Sequence, residues 1–208
     1  MRKTIVSEVC LYILDPSASD RHWAARTLSV LDAELEHAQR RGELLDAIDD
    51  TRPAVLLSEV HLCEMTGLEL QSLLLREHPA VPMIFLTGEG QVRDAVAAMR
   101  RGAVDFLEKP CFASELLRAA NEAVELARAW HRMQVDRQVT VERFDQLNDR
   151  EKRVMPHLAQ GRTNKEIARK LKMSLRSVEH YRRVVLEKME APSALKLPPT
   201  AQSRRSPA

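Results

Sequence analysis

Across roughly the first 112 residues, short apolar runs alternate with stretches of helical period, a pattern few folds accept. Val9–Leu14 reads as a buried strand closed by Asp15-Pro16, and Trp23, Thr27, Leu28 and Leu31 then repeat at helical spacing. A weaker run around Leu35 suits an edge strand, and Leu44, Leu45 and Ile48 suit a short helix. Ala54–Leu57 and Val81–Leu86 are strong strands, with a helix marked by Leu70, Leu73 and Leu74 between them. Val92, Ala95, Val96 and Met99 carry the next helix to Gly102, and Ala103–Leu107 reads as the last strand, closed by Lys109-Pro110. Apolar strands alternating with helices predict a doubly wound, five-stranded parallel sheet covered on both faces. In such a sheet the working site lies beyond the carboxyl ends of the strands, here at Asp15, Glu59, Thr87 and Lys109.

From about Ala113 to Arg137 there is neither Gly nor Pro, and Ala, Leu, Glu and Arg abound, so a long helix follows from propensity. Leu116, Ala123 and Trp130 fall seven apart. That spacing fits either a surface for pairing two chains or a last helix packed on its own sheet. Beyond it, Asn148-x-x-Glu151 and Thr163-x-x-Glu166 both have the capping-box pattern of a helix start. A first helix ends at Gly161, a short second carries Ile167, Ala168 and Leu171, and Met173-Ser174 makes a turn with Ser174 as N-cap. A third helix then runs from about Leu175 to Met189. Two helices, a tight turn and a basic third helix are the layout of a DNA-reading helix-turn-helix.

Charge divides along the same line. Residues 141–208 hold 16 Lys/Arg against 8 Asp/Glu, or +8; residues 1–140 hold 16 against 22, or −6. An acidic first part and a basic last part point to two modules with different partners, double-stranded DNA being that of the basic one. No apolar run approaches the ~20 residues of a membrane span. No secretory segment follows Met1-Arg2-Lys3-Thr4, and the three cysteines make neither a disulfide framework nor a zinc site, so the expected compartment is a reducing cytoplasm. The expected divisions are a receiver at 1–122, a helical linker at 123–142, a helix-turn-helix domain at 143–197 and a disordered tail at 198–208.

Specific motifs sharpen this reading. Gly67-Leu68-Glu69-Leu70, the run Ile84–Gly90 (Ile-Phe-Leu-Thr-Gly-Glu-Gly) and the run Ala95–Pro110 match one family over most of the first module. Asp149-Arg150-Glu151, Asn164–Ala168, Ser177-Val178-Glu179 and Arg182 match it in the second. The chain resembles the two-component response regulators with a LuxR-type helix-turn-helix, in their FixJ-like branch. The resemblance implies a CheY-like α/β receiver, a linker helix and an all-α DNA-binding domain.

The resemblance also marks departures. Family members hold Mg²⁺ with two adjacent carboxylates after the first strand; here Asp15 matches the first and Pro16 stands at the second. They phosphorylate an Asp at the end of the third strand; here that residue is Glu59, and Cys63 replaces a usual Pro beyond it. Thr87, Phe106 and Lys109 match the family's switch Thr, switch aromatic and conserved Lys. Mg²⁺ needs near-octahedral oxygen ligands at about 2.0–2.1 Å, and Pro16 offers none. A Glu carboxylate sits one methylene beyond the in-line position that phosphoryl transfer requires. The expectation is therefore a receiver that works without phosphorylation, with no bound metal, cofactor or catalytic residue. Two readings of the pocket stand side by side: Glu59 partially imitates a phosphorylated Asp against Lys109 and Thr87, or it is an ion-pair plug in a dead site.

In the second module, the resemblance places the third helix in the major groove. Ser174, Arg176, Ser177, Glu179, His180, Arg182 and Arg183 are the candidate contacts, with Lys165 on the preceding helix as a phosphate contact. Pro156 falls inside the first helix and predicts a kink. Tyr181 stands where the family usually has His, and Pro198-Pro199 stops the fourth helix after about one turn. That helix usually pairs DNA-binding domains, so homodimerisation is expected to pass to the receiver or the 113–137 helix. A sensor kinase and RNA polymerase are further candidate contacts. The alternative is an interaction module that acts on a partner regulator or kinase without binding DNA. Cys63 and Cys111, both in loops at the working edge, are candidates for redox sensing, and Cys10 belongs in the core. No P-loop, zinc spacing or Ser-His-Asp grouping suggests an enzyme.

Overall fold

The computed structural model describes residues 9–198; the chain start at Met1–Thr4 and, but for Pro198, the tail expected over 198–208 lie outside them. Five strands, β1 (Cys10–Leu14), β2 (Glu34–Ala38), β3 (Ala54–Ser58), β4 (Met83–Thr87) and β5 (Asp105–Glu108), form one sheet in the order β2-β1-β3-β4-β5. Every pairing is parallel, with Leu14 opposite Ser58 and Thr87 opposite Glu108 at the working edge. The helices between them are α1 (Ala18–Leu28), α2 (Arg41–Ala47), α3 (Gly67–Glu77) and α4 (Val92–Arg100), and α5 (Ala113–Asp145) follows β5.

Period-two alternation along β1 explains the two covered faces. Leu11 and Ile13 point to a core shared with Ala24 and Leu28 of α1 and Leu116, Ala119, Ala120 and Ala123 of α5. Cys10, Tyr12 and Leu14 point the other way, to Leu44 of α2, Leu70 and Leu74 of α3 and Ala98 of α4. The edge strand β2, Glu-Leu-Glu-His-Ala, is half exposed, which is why it is the weakest strand in the sequence.

Three elements differ from expectation. β5 begins at Asp105 rather than Ala103, because the chain first closes α4: Gly102 takes φ +85° and the Ala103 N–H returns to the Ala98 carbonyl at 3.1 Å. α5 continues past Arg137 to Asp145, since nothing before the Asn148 cap interrupts it. In α4, Val92, Val96 and Met99, which define its period, are exposed, and Ala98 is the buried residue.

The described residues divide into two compact units within α5, between Gln134 and Val135. In the second, α6 (Asp149–Ala159), α7 (Asn164–Leu171) and α8 (Leu175–Lys188) pack around Val154, Met155, Leu158, Ile167, Val178 and Val185. A 3₁₀ turn at Ala194–Lys196 replaces a full fourth helix, and Ala194 and Leu197 are buried in the same core. α6 runs through Pro156 to Ala159 without a break. No helix among the described residues is long and apolar enough to cross a membrane.

Candidate functional site

The receiver pocket is built by the ends of β1, β3, β4 and β5, with one contribution from α1. Lys109 follows β5, and its N–H bonds to the Thr87 carbonyl at 2.7 Å, extending the ladder by a residue. Its ammonium donates to Asp15 Oδ2 at 2.6 Å, Asp20 Oδ2 at 2.7 Å and Glu59 Oε2 at 3.0 Å. The sequence reading brings Asp15, Glu59 and Lys109 to this point and misses Asp20. The missed signal is local: Ser17 caps α1 by accepting from the Asp20 N–H, which sets that carboxylate in the first turn, facing the end of β1.

Glu59 is nearly enclosed. Its Oε1 accepts from the Val60 N–H at 2.7 Å and the His61 N–H at 3.3 Å, and its Oε2 accepts from the Gly88 N–H at 3.4 Å. Burial pushes its carboxyl up, but hydrogen bonds from the Thr87 hydroxyl and Lys109 and the Lys109 charge outweigh that, and it lies below the ordinary range. Burial pushes the Lys109 ammonium down, and its bonds to Asp15, Asp20 and Glu59 more than reverse this, so it is held well above the usual lysine range.

Thr87 is fully buried, and Phe106 packs against Phe85 with ring centroids 5.8 Å apart. Gly90 makes room for that placement: a Cβ there would stand 2.9 Å from both the Phe106 ring and Thr87 Cγ2. Pro16 is exposed and adds no side-chain oxygen. Beside the ammonium lies a cavity of about 460 Å³ lined by Asp20, Trp23, Gly88, Lys109, Pro110 and Cys111. Cys10 is buried, Cys63 exposed and Cys111 half-buried, and all three are free thiols.

In the second unit, capping boxes at Asn148/Glu151 and Thr163/Glu166 start α6 and α7 as the sequence predicts. Lys172, with φ +53°, ends α7, and Ser174 caps α8 by accepting from the Ser177 N–H at 3.1 Å. The two serine hydroxyls lie 2.7 Å apart, so Ser174 and Ser177 are already engaged with each other. Arg182 donates to Asn164 Oδ1 at 3.2 Å, tying the middle of α8 to the start of α7. Arg176, Glu179, His180 and Arg183 are exposed at i, i+3, i+4 and i+7, one face of α8, and Lys165 is exposed in the first turn of α7. Arg183 meets Glu187 at 3.9 Å, and the Arg150 guanidinium donates to the Tyr181 hydroxyl at 3.2 Å.

A parallel sheet with an acidic, lysine-centred pocket, followed by a capped helix-turn-helix, defines a receiver-plus-DNA-binding regulator. The sequence agrees on both counts. Residues 12–121 match the response regulator receiver domain, and residues 145–197 match the LuxR family of bacterial regulatory proteins. The chain belongs to the response regulators of this two-domain type, and it is a DNA-binding, LuxR-type transcriptional regulator. The transcriptional regulatory protein FixJ of Bradyrhizobium diazoefficiens is 35% identical over 153 residues, 74% of this chain and 75% of that protein. FixJ of Rhizobium meliloti (strain 1021) is 32% identical over 188 residues, covering 90% and 92%. Among solved structures, the response regulator StyR matches with a TM-score of 0.76 at 25% identity, over 91% of this chain and 96% of that one. Full-length FixJ from B. japonicum matches with a TM-score of 0.53 at 30% identity, over 90% and 92%.

The family's Mg²⁺ does not fit the donor set present. Asp15 gives one oxygen to Lys109 and the other to the Ser17 N–H at 2.8 Å. The Asp20 and Glu59 oxygens that face the pocket are on the same ammonium. No group of three or more His, Cys, Asp or Glu among the described residues is arranged to hold an ion.

Proposed function

We propose that this transcription regulator acts without phosphorylation of its receiver, and that Glu59 partly stands in for the missing phosphoryl group. The observation that carries the reading is the Glu59 carboxylate, held by the Lys109 ammonium at 3.0 Å and the Gly88 N–H at 3.4 Å at the strand end where Thr87 is buried, so that it occupies the place of a phosphoryl group. Phe106 turned in against Phe85 is consistent with the same state. A carboxylate brings about −1 where a phosphate brings about −1.5 to −2, so the substitution is partial. Incubation of the purified protein with Mg²⁺ and a small phosphodonor is expected to leave no acyl phosphate; a stable adduct on the receiver overturns the proposal. The mimic and the plug separate in Glu59→Gln and Glu59→Asp. Mimicry requires that these variants change dimerisation or promoter affinity, and unchanged values for both leave only the plug.

The output we infer is promoter binding by α8 in the major groove, with Arg176, Glu179, His180 and Arg183 outward and Lys165 on the phosphates. Ser174 and Ser177 serve the cap, and Arg182 the α7–α8 joint, before any DNA contact. Two copies pair through the receiver, where α4 presents Val92, Val96 and Met99 to solvent. A sensor kinase or RNA polymerase is a further candidate contact. Footprinting on the upstream region of its own gene checks the output: absence of protection at low salt would favour a module that acts on a partner protein instead.

A further inference from the structure

Resting on that reading, the contacts of Lys109 carry one step more. An ammonium has three N–H donors, and here three carboxylates accept from it, Asp15, Asp20 and Glu59, all within 3.0 Å. An incoming oxyanion therefore meets no unengaged donor on this lysine. It also meets a like field, since three carboxylates against one ammonium leave two negative charges in excess, and Glu89 stands on the rim of the adjoining cavity of about 300 Å³. Arg21 offsets part of that excess from nearby, but its guanidinium donates to the backbone carbonyl of Asp15 and is paired with none of the three carboxylates.

The three acids are not equivalent. The Asp15 and Glu59 side chains are 8% and 11% exposed, whereas that of Asp20 is 38% exposed and lines both cavities that open onto Lys109. Asp20 comes from α1 and not from the strand ends, so removing its charge leaves the sheet and the deeper pair of contacts in place. We propose that Asp20 is the residue that excludes oxyanions from this pocket: its carboxylate takes the Lys109 N–H nearest solvent, and neutralising it opens a site for a phosphate-class anion.

Titrating inorganic phosphate into the full chain at constant ionic strength, without Mg²⁺, tests this. Trp23 lines the same cavity as Asp20 and Lys109, so its fluorescence, in a Trp130→Phe background, reports occupancy at the site. Asp20→Ala and Asp20→Ser, which remove the carboxylate acceptor together with the charge, are compared with the parent, circular dichroism confirming the fold of each; Ser is the second variant should Ala disturb the helix. One regained charge-assisted bond is expected to lower the phosphate Kd by about tenfold or more. Adding Lys109→Gln to either variant is expected to abolish the gain. Equal affinity of parent and folded Asp20 variants, or a gain that survives Lys109→Gln, overturns the proposal. The outcome is separate from that of the phosphorylation test: an acyl phosphate on the parent overturns the earlier reading, while this one stands or falls on non-covalent binding.

Discussion

Charge at the end of β3 sets how the receiver responds to pH. The Glu59 carboxyl is lowered from its ordinary value of 4.5 by Thr87 and Lys109 despite burial. A depressed acid contributes stability that is present above its unfolded value and lost as pH falls through the folded one. The receiver is therefore expected to lose stability as pH drops below about 4.5, and Glu59→Gln should flatten that slope while leaving the C-terminal domain's transition in place. Denaturant unfolding between pH 3 and pH 7 checks it; an unchanged slope in the variant would remove Glu59 from the linkage. Gly90 gives a second residue-scale expectation. A methyl there would press on the Phe106 ring and on Thr87 at 2.9 Å, so Gly90→Ala should push the ring outward and destabilise the receiver by about 1–3 kcal/mol. Ring-current shifts of Phe85 and Phe106 in the variant report whether the ring has moved. Asp15, Glu59 and Lys109 were legible in the sequence because strand ends meet at one edge of a parallel sheet. Asp20 was not, because its place depends on how α1 is capped and turned against β1, which the pattern of apolar residues does not encode.

Among the elements, the strands and caps were the most legible and the helix faces the least. Leu116 and Ala123 have heptad spacing, yet both are fully buried against the sheet, so that spacing reflects packing within one chain and supplies no pairing surface there. In α4 the apolar period is real but faces out, since Ala98, small enough to approach the sheet closely, takes the inner side. The capping box of α6 does more than start a helix. Glu151 is 3% exposed and also accepts from Lys188 at 2.7 Å, joining the start of α6 to the end of α8. Burial pushes its carboxyl up, and Lys188 and the Asn148 N–H bring it below the ordinary range. Glu151→Ala removes cap and tie together, and a loss of about 1–2 kcal/mol is expected in the C-terminal domain. Pro156 works in the opposite sense. It supplies no N–H to the Lys152 carbonyl inside a helix that continues regardless, so Pro156→Ala should stabilise that domain by about 2 kcal/mol after the gain in unfolded-chain freedom. Chemical denaturation of both variants decides whether α6 is held by its cap or limited by its proline.

At the scale of the whole chain, the separation of charge makes DNA affinity the property most exposed to solution conditions. The acidic receiver segment adds nothing to attraction for phosphates, so the basic residues of the last segment must supply it. Each phosphate neutralised releases counterions and contributes about −0.9 to the slope of log K against log salt. Lys165, exposed in the first turn of α7, has no ion-pair partner among the described residues, and the proposed docking puts it on the phosphate backbone. Lys165→Ala should therefore weaken binding to specific and unrelated duplexes alike, and reduce the magnitude of the slope by about one per bound chain. Arg176, in the first turn of α8, differs in the proposed docking, which gives its guanidinium the edge of a guanine to read. Arg176→Ala should reduce discrimination between the promoter and random DNA by about 1–3 kcal/mol with a smaller change in slope. Salt titrations of both variants on both duplexes distinguish the two roles. A parent affinity that does not vary with salt would contradict electrostatic docking altogether, and a Lys165 effect confined to the promoter would place that residue on a base instead.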